Sequence, residues 1–321
     1  MINQNELFFN NLKCPLSNED IVLKKKIISS KLSNNQYSIN DGVFRFLGGV
    51  ENNLKTEQVK NFYLNFPFPN YNNFNSLEDF VEKGNNLFID KIVKFIKPND
   101  MILEMGSGTC QLGNYLALTS YAQVYCADLS FNSLKLGSEF KKKFDIKGIN
   151  FFETDIFNSC FKKEIFDIVI CTGVLHHTKN PEEAFYEILK LLKKDGLIII
   201  GLYNKISRFK NSIIKFLSLI FGEKIFLLFD SMARSKDGLA RLSWIKDQYF
   251  HPLEKRFTYS DLHKWFIKGG VDFIESIPPY RTYFDNSGMG INNAIEQFNL
   301  QIKDFFISQD GGLFIFFGKK K

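Results

Sequence analysis

From Met101 onward the chain repeats one pattern, a short apolar run followed by a helix-length segment, and that alternation leaves few folds open. The apolar runs lie at residues 101–105, 122–127, 166–171 and 197–202. Strands separated by helix-length spacers pair in parallel, with the helices packed on both faces of the sheet. A doubly wound α/β sheet is therefore expected. Residues 206–255 interrupt the rhythm with helical, basic and aromatic sequence and read as an insertion. The pattern then resumes, with Ser260 as a helix cap, a helix through Trp265, a strand near Val271 to Ser276 and a last strand at Leu313 to Phe317.

A chain of 321 residues can bury one large core and still carry additions. Residues 1–50 read as a small β appendage, because Asp41-Gly42 sits between two β-prone runs and suggests a hairpin. This unit resembles the zinc-ribbon-like module that precedes some bacterial methyltransferases, with Cys14-Pro15 at the place of its first ligand pair. The other ligands are missing, and one thiol cannot hold tetrahedral zinc, so no metal is expected. Residues 51–97 hold an aromatic and proline-rich loop at 62–71, with Tyr63 as a candidate substrate contact, then a helix over residues 86–97 that Pro98 closes. The loop suits either a lid over a ligand or packing onto the core.

Charge and cysteine usage exclude some classes. The net charge of +6 comes from scattered lysine clusters, which read as solvated surface, so nucleic acid is disfavoured as a partner. Five cysteines without Cys-x-x-Cys spacing fit a reducing cytoplasm. Met1 to Asn11 has an acid, no Lys or Arg and only a short apolar run, the wrong make-up for a secretory signal. No transmembrane segment is expected: the most apolar stretch, Ile213 to Phe229, is interrupted by Lys215, Glu223 and Lys224. A buried or interfacial amphipathic helix suits it better, and that is compatible with peripheral membrane contact. Oligomeric state is not legible.

The chemistry gathers at the first of these strands. Met101-Ile102-Leu103 runs into Glu104-Met105-Gly106-Ser107-Gly108-Thr109-Cys110-Gln111, a glycine loop at a strand's carboxyl end. Such a loop lets backbone approach a cofactor closely and offers the free amides of the next helix. Dinucleotide sites use it too, but they expect a third glycine where Gln111 stands and an apolar residue in place of Glu104. A carboxylate there repels a diphosphate and suits a cation. S-adenosylmethionine, with its sulfonium and α-ammonium, is such a ligand. The second strand ends in Asp128, placed to accept hydrogen bonds from ribose hydroxyls or to cap the next helix, and the third runs into Asp155, placed for an adenine amino group.

The order Glu104-x-Gly106-x-Gly108, Asp128-Leu129-Ser130, Thr154-Asp155 and Phe166 to His177 resembles the class I S-adenosylmethionine-dependent methyltransferases. Its Val174-Leu175-His176-His177 end is similar to the branch of quinone-biosynthesis C-methyltransferases. The resemblance covers about residues 96–205. It implies a Rossmann-like sheet of about seven strands, the last antiparallel, a methyltransferase domain over 98–321 with a helical insertion after the fifth strand, and S-adenosyl-L-methionine as cofactor. It further implies cofactor contacts from Glu104, Gly106, Ser107, Gly108, Asp128, Leu129, Asp155, Ile156 and Thr172. Family members commonly carry a third glycine where this chain has Cys110.

Methyl transfer from a sulfonium needs positioning first and a base only for an acidic O–H, N–H or C–H acceptor. Candidate catalytic residues are His176, Tyr203 and His251, and candidate substrate contacts are Tyr63, Tyr203, Tyr249 and His251. Arg281 could pair with an anionic substrate, although a surface role suits it better. Ile277-Pro278-Pro279-Tyr280 resembles the Asn/Asp-Pro-Pro-Tyr element of amino-group methyltransferases but stands after the wrong strand and lacks the polar first residue. The expected function is methylation of a small or lipid-like molecule. RNA modification, a noncatalytic S-adenosylmethionine-binding scaffold and, more weakly, a nicotinamide dehydrogenase are the alternatives.

Overall fold

The computed structural model describes residues 8–24, 27–47, 71, 74, 76–251, 253–279, 299 and 312–321. The first strands are β1 (Ile21–Lys24), β2 (Ile27–Ser30), β3 (Gln36–Asn40) and β4 (Val43–Arg45), followed by helices α1 (Leu77–Gly84) and α2 (Leu87–Ile92). Strand and helix then alternate: β5 (Met101–Met105), α3 (Gln111–Thr119), β6 (Gln123–Asp128), α4 (Phe131–Lys143), β7 (Ile149–Glu153), β8 (Phe166–Thr172), α5 (Pro181–Leu189) and β9 (Leu192–Tyr203). The expected insertion is four helices, α6 (Phe209–Phe221), α7 (Lys224–Phe229), α8 (Ser231–Ser235) and α9 (Gly238–Phe250). α10 (Tyr259–Lys268), β10 (Val271–Ile277) and β11 (Leu313–Lys320) complete the described elements.

Among the described residues the sheet has eleven strands, in the order β1-β2-β3-β4-β7-β6-β5-β8-β9-β11-β10. Parallel pairing joins β7, β6, β5, β8 and β9, while β11 runs antiparallel to β9, as expected for the last strand. Alternate side chains feed two cores. Leu103, Val169, Cys171, Ile198 and Ile200 pack on one face, and Ile102, Ile168, Ile170, Leu197 and Ile199 on the other. Both faces are covered, which is why these strands read as unbroken apolar runs. The insertion has a smaller core of its own around Ile214, Phe226, Trp244 and Tyr249.

The expectation of about seven strands is corrected by residues 21–45. Their hairpin forms as read, with Asn40 opposite Val43 and positive φ at Asp41 (52°) and Gly42 (81°), as a two-residue primed turn requires. It does not stand apart, however. β4 pairs in parallel with β7, and Arg45 closes the junction by donating to the Glu153 carboxylate at 2.6 Å. Phe44 stacks on Phe152 at 5.2 Å, so the added strands continue both the hydrogen bonding and the core of the sheet.

Two helix boundaries also differ. The cap of α10 is Thr258 rather than Ser260, because Asp261 returns a bond to the Thr258 backbone and completes a capping box. α2 ends at Ile92 rather than 97, where the chain tightens into a turn with Phe95 N–H donating to Ile92 O at 2.9 Å. The loop at 62–71, except Tyr71, lies outside the described residues, as do Tyr63, Tyr280 and Arg281. Among the described residues no helix is long and apolar enough to cross a membrane, and no cluster of His, Cys, Asp or Glu could hold a metal ion.

Candidate functional site

The carboxyl ends of β5, β6 and β8 meet around the glycine loop. Gly106 N–H (2.7 Å) and Ser107 N–H (3.0 Å) both donate to Ala127 O, and Gly108 N–H donates to Asp128 Oδ2 at 2.8 Å. The loop is thus stitched to the end of β6. Gly106 has φ +75°, and a Cβ there would stand 2.3 Å from Val174 Cγ2, so only glycine fits.

Cys110, at the position where the family it resembles commonly carries a third glycine, keeps the glycine conformation: its φ is +63° and its side chain is fully buried. Space for the thiol comes from Gly137 on α4, where a Cβ would lie 2.8 Å from both Cys110 Cβ and Thr109 O. Gly137→Ala is therefore expected to cost about 1–3 kcal/mol. Cys110→Gly should recover part of it, because the backbone contact to Thr109 remains; denaturant midpoints of the single and double variants measure this coupling.

Glu104 is buried behind the loop. Its Oε2 accepts from Gly113 N–H at 2.9 Å and from the Cys126 thiol at 3.6 Å. Burial pushes its pKa up to about 8, against the downward pull of those two donors. A carboxyl whose folded pKa lies above its unfolded value favours folding at low pH and loses that contribution as pH rises through the folded value. The cofactor-free protein should therefore lose thermal stability between about pH 5 and 8 more steeply than its Glu104→Gln variant, which a melting series checks.

Asp128 holds one backbone donor on each oxygen, Gly108 N–H on Oδ2 and Ser130 N–H on Oδ1, both at 2.8 Å. A carboxylate oxygen has two acceptor positions, so each still has one to offer. The cap of α4 is Ser130 instead, which accepts from Ser133 N–H. Asp155 is fixed by Phe157 N–H, which donates to Oδ1 at 2.7 Å. Burial raises the pKa of both aspartates.

One cavity of about 780 Å³ joins these groups. Glu104, Gly106, Ser107, Gly108, Asp128, Leu129, Asp155, Ile156, Thr172 and Tyr203, all named from the sequence, border it. Phe80, Asn86, Phe88 and Ile89 of the α1–α2 region form one wall, and Met232, Trp244, Asp247 and Gln248 of the insertion form another.

Three sequence candidates do not border the cavity. His176 is fully buried, packs 4.0 Å from the Tyr203 ring, and has no hydrogen-bond partner for either ring nitrogen among the described residues. Tyr249 donates to Asp230 inside the insertion's own core at 3.0 Å. His251 lies behind His177, their rings 3.6 Å apart. The histidine that faces the cavity is His177, whose Nδ1 is 2.6 Å from Leu253 O. A carbonyl can only accept, so Nδ1 carries the proton and Nε2 keeps its lone pair. Burial lowers the pKa of His176 and His177 well below the usual value and that of His251 to about 4.

Sequence reading missed the polar girdle that sets this wall. Arg208 is buried, donates to Gln248 Oε1 (2.8 Å), to Gln248 O (2.7 Å) and to the Glu254 carboxylate, and lies 4.0 Å over the Tyr203 ring. Gln248 Nε2 donates in turn to Tyr203 Oη and Asp247 Oδ2, both at 2.9 Å. The signal was present: on a helix, residues 244, 247 and 248 share one face, which turns Tyr249 away. Tyr71 was missed as well. Its hydroxyl donates to Thr109 O at 2.7 Å and accepts from Asn114 at 2.9 Å, tying the end of the aromatic segment to the glycine loop.

Comparison with known proteins agrees with this fold. Residues 103–200 match the family model described as a methyltransferase domain. An uncharacterized protein of Methanocaldococcus jannaschii is 30% identical over 162 residues, 49% of this chain and 66% of that protein. A ubiquinone biosynthesis O-methyltransferase of Rickettsia typhi is 26% identical over 131 residues, 39% of this chain and 52% of that enzyme. The chain spans between 47% and 66% of the length of three curated relatives it matches. Among solved structures, PKMT2 from Rickettsia typhi in complex with AdoHcy superposes with a TM-score of 0.51 at 15% identity, covering 72% of this chain and 52% of that one. The likeness shows a shared Rossmann-like fold. Residues 103–200 are thus similar to a methyltransferase domain, the class for which the sequence implies S-adenosyl-L-methionine as cofactor. The residues present fit it: a buried carboxyl suited to a cation, an acidic strand end with spare acceptors, and a cavity within the usual ligand range of about 300–1,000 Å³.

Proposed function

We propose that the chain transfers the methyl group of S-adenosyl-L-methionine to a small or lipid-like acceptor held against the helical insertion. The observation that carries this reading is the continuity of the cavity, from the Glu104–Gly108 loop to Trp244, Met232 and Leu253. The bound cofactor supplies a methyl group already activated on a sulfonium. Asp128 takes the ribose hydroxyls on its spare acceptors, Asp155 takes the adenine amino group, and Glu104 stands near the positive charge. Burial of the acceptor between Phe88, Trp244 and Leu253 excludes water and sets the line of attack.

His177 is the candidate proton acceptor on the cavity wall. Its Nε2 accepts the acceptor's proton as the methyl group is transferred, and Leu253 O holds the ring in place. Tyr203, pinned by Gln248, orients the acceptor without titrating, since burial raises its pKa. His177→Gln is expected to lower kcat by roughly 10²-fold or more. The kcat of the parent should show no acid limb near pH 6.5, because burial keeps His177 neutral there. A pH–rate profile with a histidine limb at that pH would count against the assignment.

Kinship with ubiquinone-type methyltransferases supports the lipid-like acceptor, since a curated relative carries that name, although as an O-methyltransferase. The substrate class is tested by incubating the protein with methyl-labelled S-adenosylmethionine and separate small-molecule, lipid and RNA fractions of a cell extract. Label in the small-molecule or lipid fraction is expected; label in RNA would overturn the reading.

A further inference from the structure

The insertion is turned inside out relative to an ordinary surface helix. Of eighteen exposed large hydrophobic residues among the described ones, eight fall within residues 209–229. α6 exposes Phe209, Ile213, Phe216, Leu219, Ile220 and Phe221, with Leu219 72% and Phe221 66% accessible, while it buries Ile214 and Ser218. Positions 209, 213, 216 and 220 recur at helical spacing, so the exposed residues form one stripe. Clustered apolar surface of this kind marks a contact site rather than random exposure.

The charges around the stripe select the partner. Lys205, Lys210, Lys215 and Lys224 accompany it, Glu223 is the acid alongside, and none of these lysines makes an ion pair with a described residue. A second copy of the chain would bring like charges together, whereas an anionic lipid surface complements lysines and accepts phenylalanine and leucine side chains at headgroup depth. We propose that α6 and α7 seat the protein on an anionic membrane surface, lying in the interface without crossing it. The same insertion walls the cavity through Trp244 and Met232, so the seat and the acceptor wall are one unit. The inference rests on the exposed face and stands independently of the acceptor proposed above.

The test is flotation of the full chain with vesicles of phosphatidylcholine alone and of phosphatidylcholine mixed with phosphatidylglycerol. Binding to the mixed vesicles, weakened at high salt, is expected. Phe216→Glu with Ile220→Glu should reduce partitioning by at least about tenfold, and Lys210→Gln with Lys215→Gln should reduce it on anionic vesicles by a similar factor. Calorimetric affinity for S-adenosylhomocysteine, unchanged in both variants, shows that they fold. Absence of flotation, equal flotation of the Phe216→Glu, Ile220→Glu variant, or a dimer of the parent that this variant dissociates would overturn the proposal.

Discussion

Asp128→Ala should weaken calorimetric binding of S-adenosylhomocysteine by about a hundredfold or more. Two hydrogen bonds from ribose hydroxyls to a carboxylate are each worth roughly 1.5–3 kcal/mol, and relaxation of the loop offsets part of the sum. The loop itself relies on this side chain, because Gly108 N–H and Ser130 N–H both end on it. The effect on stability should be smaller. Removing the carboxylate frees two backbone donors, yet it also removes a buried acid that burial makes costly to ionise. Asp128→Asn keeps one acceptor and should fall between parent and alanine. A melting temperature that drops steeply in Asp128→Ala while affinity is retained would make the residue a structural tie alone.

Gly106→Ala should be among the most destabilising single changes in the loop, at roughly 2–5 kcal/mol. About 1–2 kcal/mol is the cost of a side chain in the left-handed region, and overpacking adds about 1–3 kcal/mol. The added Cβ would sit 2.3 and 2.6 Å from the two Val174 methyls and 2.9 Å from Val174 Cβ. Val174→Ala removes the methyls and leaves the Cβ and the backbone strain, so the double variant should regain part of the loss. Urea midpoints of the four proteins measure that coupling. Strict additivity would mean that Val174 moves aside at no cost.

The parallel sheet and its glycine loop were legible because both are local patterns: apolar runs at helical intervals, and glycines followed by acids at strand ends. Glu104, Asp128 and Asp155 could be named from sequence because each lies at or just past the carboxyl end of a strand whose direction the fold class dictates. What escaped were features set by contact at a distance. The pairing of β4 with β7 depends on an edge contact between residues 43–45 and 151–153, which no periodicity records. Cys110 read as a departure from a glycine pattern, yet it holds glycine's backbone conformation because Gly137, distant in sequence, makes room.

The insertion shows the same limit on the acceptor side. Its polar density drew attention to Tyr249 and His251, but helix phase turns Trp244, Asp247 and Gln248 to the cavity instead. The Val174-Leu175-His176-His177 motif likewise pointed to a turn beside the cavity and to the ring that does not border it. His176 packs under Tyr203, and His177 faces the space. Which of two adjacent side chains faces a ligand depends on one turn of backbone, here a 3₁₀ turn at Leu175–His177.

A crystal structure with S-adenosylhomocysteine tests the central claim most directly. The account predicts its ribose hydroxyls on Asp128, its adenine amino group by Asp155, and its sulfur at the Glu104 end of the cavity, open toward His177, Tyr203 and Trp244. A ligand bound outside this cavity, or lying with its adenine against Glu104, would contradict it.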